Sequence, residues 1–114
     1  HQLIENNGIL CIIAQKGDTW QSLSHDLDIS LKKLLSRNEV PSVSMSIIPG
    51  TFIYLEKKKS SAAKIYKNKQ HIVRAGESMY SISQLYGIRL KKLYKLNDMD
   101  PSQPLRSGMH LKIR

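Results

Sequence analysis

The chain is 114 residues long, 40% hydrophobic and 24% charged, with a formal net charge of +9. Those proportions describe a globular protein of one ordinary domain or two very small ones and exclude a chain too polar to fold. No apolar run approaches the roughly 20 residues of a membrane helix, and no stretch has the charged-then-apolar layout of a signal peptide, so a soluble chain is expected, and His1 in place of a methionine suggests a processed product or an excised piece.

Residues 1–10 are a lead-in, in which HQLIENNG has no assigned element. Ile9 to Ala14 is short, rich in β-branched residues and closed by a glycine, so it reads as a strand. Cys11 lies inside it as a small hydrophobe; being the only cysteine, it excludes an intrachain disulfide. Trp20, Leu23 and Leu27 recur at i, i+3, i+7 and mark a short amphipathic helix. Thr19 is placed to cap its first turn, with Asp18 beside the positive helix end. Asp28 stands at the helix exit and tolerates the left-handed conformation. A second helix presents Leu31, Leu34 and Leu35 on one face and ends at Asn38. The loop PSVSMSIIPG then leads to a last strand, in which Ile53 and Leu55 point inward by period-two alternation. The aromatic pair Phe52 and Tyr54 points outward, and that face is expected to be covered, by the second copy or by a catalytic domain.

Residues 57–69, KKKSSAAKIYKNK, carry six lysines and no acid and read as a flexible, solvated linker. Beyond it the same pattern returns. Gly17 aligns with Gly76, Leu31-Lys32-Lys33-Leu34 with Leu90-Lys91-Lys92-Leu93, Asn38 with Asn97, and Phe52 to Leu55 with His110 to Ile113. In this second copy His71 to Val73 is the strand, and Met79, Ile82 and Tyr86 mark the first helix, capped by Ser78 beside Glu77. Gly87 is the exit, Leu90, Leu93 and Tyr94 line the second helix, and Asn97 ends it. The expected organisation is a repeat at 11–56, the lysine-rich linker at 57–69 and a second repeat at 70–114. The fold class is α+β: two βααβ units, each a two-stranded antiparallel sheet with two helices packed on one face.

The blocks KGDTWQSL, ISLKKLLSRN and IIPGTFIYL, and again RAGESMYSI, IRLKKLYKLN and LRSGMHLKI, resemble the lysin motif, LysM. Tandem copies joined by a lysine-rich spacer also resemble the carboxyl-terminal part of bacterial cell-wall hydrolases such as N-acetylglucosaminidases and amidases. The resemblance implies a non-catalytic module that attaches its parent protein to peptidoglycan through N-acetylglucosamine-containing glycans, with a catalytic domain of the same polypeptide as a further partner. It implies a location in the cell envelope, periplasmic or secreted. It also implies a shallow groove between the loop before the first helix and the loop after the second. Carried onto this chain, that groove is lined by Gly17, Asp18, Thr19 and Trp20 against Glu39, Val40, Pro41 and Ile48. In the second copy Gly76, Glu77, Ser78 and Met79 face Asp98, Met99, Asp100 and Pro101. Glu77-Ser78 departs from the family's Asp-Thr.

The physical requirements of such a ligand agree. An N-acetyl group offers an amide donor, a carbonyl acceptor and a methyl, so its site needs unspent backbone groups beside a small apolar surface. The first turn of a helix leaves amides unpaired, and Trp20 offers a flat face for a sugar ring; alternatively, Trp20 and Met79 both begin the inward helical face and belong to the core. Asp18 and Glu77 have a second reading as favourable charges at a helix start. Metal binding is not expected, since no histidine pair has helical zinc spacing and no second cysteine exists. No cofactor is expected. Catalysis is not expected either: a glycosidase needs two carboxyl groups with one kept protonated, whereas each copy has one acid in its loop, beside a helix end that favours ionisation.

The charge is uneven. Residues 1–56 carry 4 basic and 6 acidic side chains, the linker 6 basic, and residues 70–114 carry 8 basic and 3 acidic. The alternative functions that follow are a basic nucleic-acid-binding module, or a protein-interaction module using Phe52 and Tyr54. The first is disfavoured, because the lysines are not interleaved with aromatics on one platform, so no nucleic-acid partner is expected.

Overall fold

Two units, His1–Lys58 and Lys59–Arg114, make up the computed structural model, which describes residues 1–114. The first begins with a hairpin. Strand β1 (Ile4–Asn6) turns into β2 (Ile9–Ile13) through Asn7 and Gly8, whose φ angles of 56° and 70° are the two positive values that a tight hairpin turn requires. The lead-in is therefore a strand. Helices α1 (Trp20–Asp26) and α2 (Leu31–Arg37) follow, and β3 (Phe52–Tyr54) completes an antiparallel sheet in the order β1-β2-β3.

The paired strands β2 and β3 divide their residues between two faces, because successive side chains alternate. Ile12 and Ile53 are opposite each other and buried, as are Ala14, Trp20, Leu23 and Leu34. On the other face Ile9, Cys11 and Tyr54 form a second buried cluster with Ile4 and Phe52 packed against it. The outward aromatic pair is covered by the strand that the lead-in contributes, an occupant the sequence reading did not assign. Asn6 donates from Nδ2 to the Tyr54 hydroxyl at 2.8 Å. Burial raises the pKa of Tyr54 well above that of a free phenol, the Asn6 bond only partly opposing it.

The second unit contains β4 (Gln70–Ile72), α3 (Met79–Tyr86), α4 (Leu90–Leu96) and β5 (His110–Lys112), with β4 and β5 antiparallel. Its core joins Val73, Met79, Ile82, Ile88, Leu93, Leu111 and Ile113. Both first helices exit through a left-handed residue, Asp28 at φ 51° and Gly87 at φ 71°. The next amide closes the turn in each: Ile29 donates to Ser24 at 3.1 Å and Ile88 to Ser83 at 2.9 Å. The match to the βααβ expectation is complete here, and in the first unit one strand is added to it.

Asn38 and Asn97 do more than end their helices. Asn38 Nδ2 donates to the carbonyls of Leu34 and Tyr54, both at 2.8 Å, and its Oδ1 accepts from Tyr54 N at 2.7 Å. Asn97 repeats the pattern, donating to Leu93 and Lys112 at 2.9 Å each and accepting from Lys112 N at 2.7 Å. One side-chain amide thus joins the end of the second helix to the last strand.

The segment expected as a flexible linker is largely built into the fold. Lys58 is 3% exposed, its ammonium 2.7 Å from Glu39 Oε1. Desolvation lowers its pKa, the Glu39 contact only partly opposing this. In the second unit Lys59 accepts from Arg89 N at 2.8 Å and donates to Gly87 at 2.9 Å. Ala62 is buried in the core and donates to Ile113 at 2.7 Å. Lysine content describes the exposed side chains of Lys57, Lys59, Lys64, Lys67 and Lys69, but the buried Lys58, the backbone groups and the Ala62 methyl, which composition does not weigh, decide the structure.

Asn97→Ala removes three hydrogen bonds, at about 1 kcal/mol each, and should lower the stability of the second unit by about 3 kcal/mol. Urea unfolding followed on that unit's amide signals measures this, and an unchanged midpoint would refute the clamp.

Candidate functional site

In the first unit the loop before α1 is a tight turn. Asp18 N donates to Gln15 O at 3.1 Å, with Gly17 at φ 91°. An added Cβ at Gly17 would meet nothing within 4 Å, so the angle rather than space calls for glycine. Thr19 then makes a reciprocal cap, its Oγ1 accepting from Ser22 N and its N–H donating to Ser22 Oγ, both at 3.0 Å. The first intrahelical donor is Leu23, to Thr19 O. The amides of Trp20 and Gln21 precede it, and helix geometry gives them no partner within the helix.

Facing this turn is the loop 43–47. Trp20 Nε1 donates to Met45 O at 2.8 Å, tying one wall to the other. The far end of the loop is held by a second turn, where Thr51 N donates to Ile48 O at 3.3 Å and Gly50 N to Ala14 O at 2.8 Å. Between the walls lies an open groove of about 370 Å³, bounded by Gly17, Asp18, Thr19 and Trp20 on one side and residues 43–47 on the other.

The first half of the expected lining is thus in place and the second half is displaced. Glu39 takes a left-handed φ of 54° as the helix exit and pairs with Lys58. Val40 is buried. Pro41 is exposed and Ile48, at 67% exposure, sits in the turn; neither bounds the groove. The wall comes from Val43 to Ile47 instead, because the exit through Glu39 and Val40 is spent on ending α2, with Val40 N donating to Leu35 O at 2.9 Å. Trp20 is 3% exposed, so its ring is a core element and offers the groove an edge, not a stacking face. A proline-glycine pair at 49–50, read as a turn, was the available signal that the wall must precede it.

The second unit repeats the turn and cap. Gly76 has φ 85°, Ser78 Oγ accepts from Ser81 N at 3.0 Å, and Ser78 N donates to Ser81 Oγ at 2.9 Å. Met79 is buried and Met99 packs against the same core. Asp98, at φ 49°, is the exit equivalent to Glu39. Asp100 caps its own loop, accepting from Ser102 N at 2.8 Å and from the Ser102 hydroxyl, beside the exposed Pro101; those bonds lower its pKa.

The two acidic loop residues are turn anchors. Asp18 Oδ2 accepts from Gln15 N and lies against His1 Nε2, each at 2.7 Å. Glu77 Oε1 accepts from Arg74 N at 2.6 Å and from His71 Nε2 at 3.0 Å, while His71 Nδ1 meets the Tyr86 hydroxyl at 2.7 Å. Desolvation acts to raise the pKa of Glu77, but the Arg74 amide and His71 outweigh it and the net direction is down. A carboxyl held ionised in this way cannot serve as a proton donor at neutral pH. His71, read from the sequence only as the start of a strand, joins this chain of contacts. No group of three or more metal-ligating side chains occurs.

These features define a class: two small α+β modules, each with a glycine turn and a capped helix start, and in the first unit a loop-walled groove beside them. The model of the LysM domain family matches residues 12–55 and 71–114, so the chain belongs to the LysM domain family. It is a binding module and not an enzyme. Among curated proteins it is similar to the probable peptidoglycan endopeptidase LytE of Bacillus subtilis, at 32% identity over 106 residues, covering 90% of this chain and 31% of that protein. It is also similar to the N-acetylmuramoyl-L-alanine amidase sle1 of Staphylococcus epidermidis, at 30% identity, 87% of this chain and 30% of that one. A further match is the autolysin of Enterococcus faecalis, at 28% identity, 87% of this chain and 14% of that protein. The chain therefore spans a third or less of the length of these relatives. Among solved structures, the spore cortex-lytic enzyme SleL of Bacillus cereus aligns at 22% identity with a TM-score of 0.38, over 93% of this chain and 22% of that one.

Two outcomes test the site's physical description. Trp20, the only tryptophan, should emit as a buried indole and resist quenching by iodide; a red-shifted, readily quenched emission would contradict its placement. Glu77 has a folded pKa below the ordinary value of 4.5. Its stabilisation is thus present above about pH 4.5 and lost as pH falls through the lower folded value. Glu77→Gln should flatten the acid limb of the second unit's stability profile, and an unchanged profile would show that the carboxylate contributes nothing.

Proposed function

We propose that the chain attaches its parent protein to peptidoglycan by binding N-acetylglucosamine-containing glycan strands in the loop grooves. The observation that carries this reading is the groove of the first unit, where the unspent amides at the start of α1 lie beside a small, partly apolar wall. A glycan N-acetyl carbonyl accepts from such amides, and its methyl finds the apolar surface. The relatives' names, an endopeptidase, an amidase and an autolysin, support a wall polymer as the ligand and a cell-envelope location. They also support a catalytic domain elsewhere in the parent polypeptide. No helix is long and apolar enough to cross a membrane.

Two modules on one chain favour attachment by avidity, since the second binding event becomes intramolecular. A shallow, open groove gives each module modest affinity, and a repeating polymer offers adjacent sites.

Ser46 is exposed and lies on the groove wall. Ser46→Trp should fill the groove and weaken cosedimentation with purified peptidoglycan about tenfold, with the unfolding midpoint unchanged. Soluble N-acetylglucosamine oligomers should compete with wild-type binding. Full binding by the variant, or no competition by the oligomers, would refute the assignment.

A further inference from the structure

We propose that the outer face of the β4–β5 sheet is a second binding surface, separate from the loop grooves, for a flexible phosphodiester polymer without bases, of the polyol-phosphate kind. The choice of a wall polymer rests on the envelope reading above; the surface itself does not.

On this face Gln70 lies opposite Lys112 and Ile72 opposite His110, and all four are exposed. With Lys69 and Arg114 they line an open cleft of about 420 Å³ that no aspartate or glutamate side chain borders. Arg114 is held in place by its Nη1, which donates to Ala62 O at 2.7 Å. Lys112 and Arg114 are two residues apart at the end of β5, so their Cα atoms lie about 7 Å apart, and both cations border the same cleft. A flexible chain of phosphates can match that spacing; a single small anion uses only part of it.

The equivalent face of the first unit shows that this is a divergence and not a property of the frame. There Cys11 pairs with Tyr54 and Ile13 with Phe52; the face is apolar, with Ile4 of β1 packed over Cys11 and Tyr54 and Ile13 left exposed. The charge follows the same division. Residues 1–58 carry 6 basic and 6 acidic side chains, and residues 59–114 carry 12 basic and 3 acidic, so the entire net charge of +9 belongs to the second unit. Of its three acids, Glu77 is already engaged by His71 and Arg74 N.

A phosphodiester supplies the complementary charge at every repeat. The cleft has no phenylalanine, tyrosine or tryptophan in its lining and only one ring, that of His110, so it lacks the row of aromatic platforms on which successive bases of single-stranded nucleic acids stack. A base-free polymer satisfies the cations of the face.

The test is titration of the full chain with purified poly(glycerol phosphate) across a salt series. Parallel arms use a single-stranded oligonucleotide with the same number of phosphates, vesicles containing anionic lipid, and N-acetylglucosamine oligomers. Lys69→Glu with Lys112→Glu should weaken polymer binding at least tenfold and reduce the salt dependence by about two counterions. Lys91→Glu with Lys95→Glu makes the same change in net charge on exposed positions of α4 and should cost less than threefold. The neutral pair Lys69→Gln with Lys112→Gln, which perturbs folding less, should show an intermediate loss. Binding of N-acetylglucosamine oligomers should be unchanged in all three variants. Absence of polymer binding, equal losses from the sheet and helix pairs, or tighter binding of oligonucleotide or vesicles than of polymer would overturn the proposal. Failure of the oligomer arm alone would instead remove the groove assignment.

Discussion

A unit of this size buries a modest core and is marginal by hydrophobic packing, and the asparagine that follows the second helix adds a polar constraint to it. Asn38 and Asn97 each satisfy a helix carbonyl and both backbone groups of one residue in the last strand. Because helix end and strand are joined at one side chain, the loop between them has a fixed beginning. Its end is fixed too, by the glycine turn bonded to Ala14 in the first unit and to Val73 in the second. The groove wall is what remains between two anchored points, and its opposite wall is a capped turn with its own glycine. The binding geometry thus follows from polar contacts more than from the core.

Each unit also recruits chain from outside its βααβ frame. The first adds β1, which closes the rear of its sheet over Tyr54 and Cys11. The second adds residues 59–62, with Ala62 entering the core and Lys59 bridging to Ile88. Both additions enlarge a marginal core, as small scaffolds require, but they act at different places. One leaves the rear sheet face apolar and closed; the other leaves it open, cationic and free to take a different partner. The two copies share the glycine turn and the helix cap and differ in the remaining surfaces.

Much of this was legible in the residues. Apolar spacing at Trp20, Leu23 and Leu27 and its repeat at Met79, Ile82 and Tyr86 located the helices, and Thr19 and Ser78 declared the caps. The hairpin at Asn7-Gly8 was equally legible, since Asn-Gly between short apolar runs is a strong hairpin signal, but it lay outside the repeat and went unassigned. The second groove wall was not legible in the same way. Glu39, Val40 and Pro41 follow the helix directly, yet whether a loop residue faces a groove or ends a helix depends on where its backbone bonds go. The 57–69 segment failed for a related reason: a lysine side chain in solvent says nothing about a paired backbone. Trp20 was read correctly as either core or platform, and only the Met45 bond at 2.8 Å and its burial decide for core.

The central claim is that the amides opening α1 meet acetylated amino sugars across the groove from residues 43–47. Amide chemical shifts during titration with an N-acetylglucosamine tetramer test it most directly. The account predicts progressive shifts at Trp20, Gln21 and Ser44 to Ser46, with the rear-sheet amides of Ile9 and Cys11 unmoved. Saturable shifts confined to other surfaces, with Trp20 and Gln21 unchanged, would contradict it.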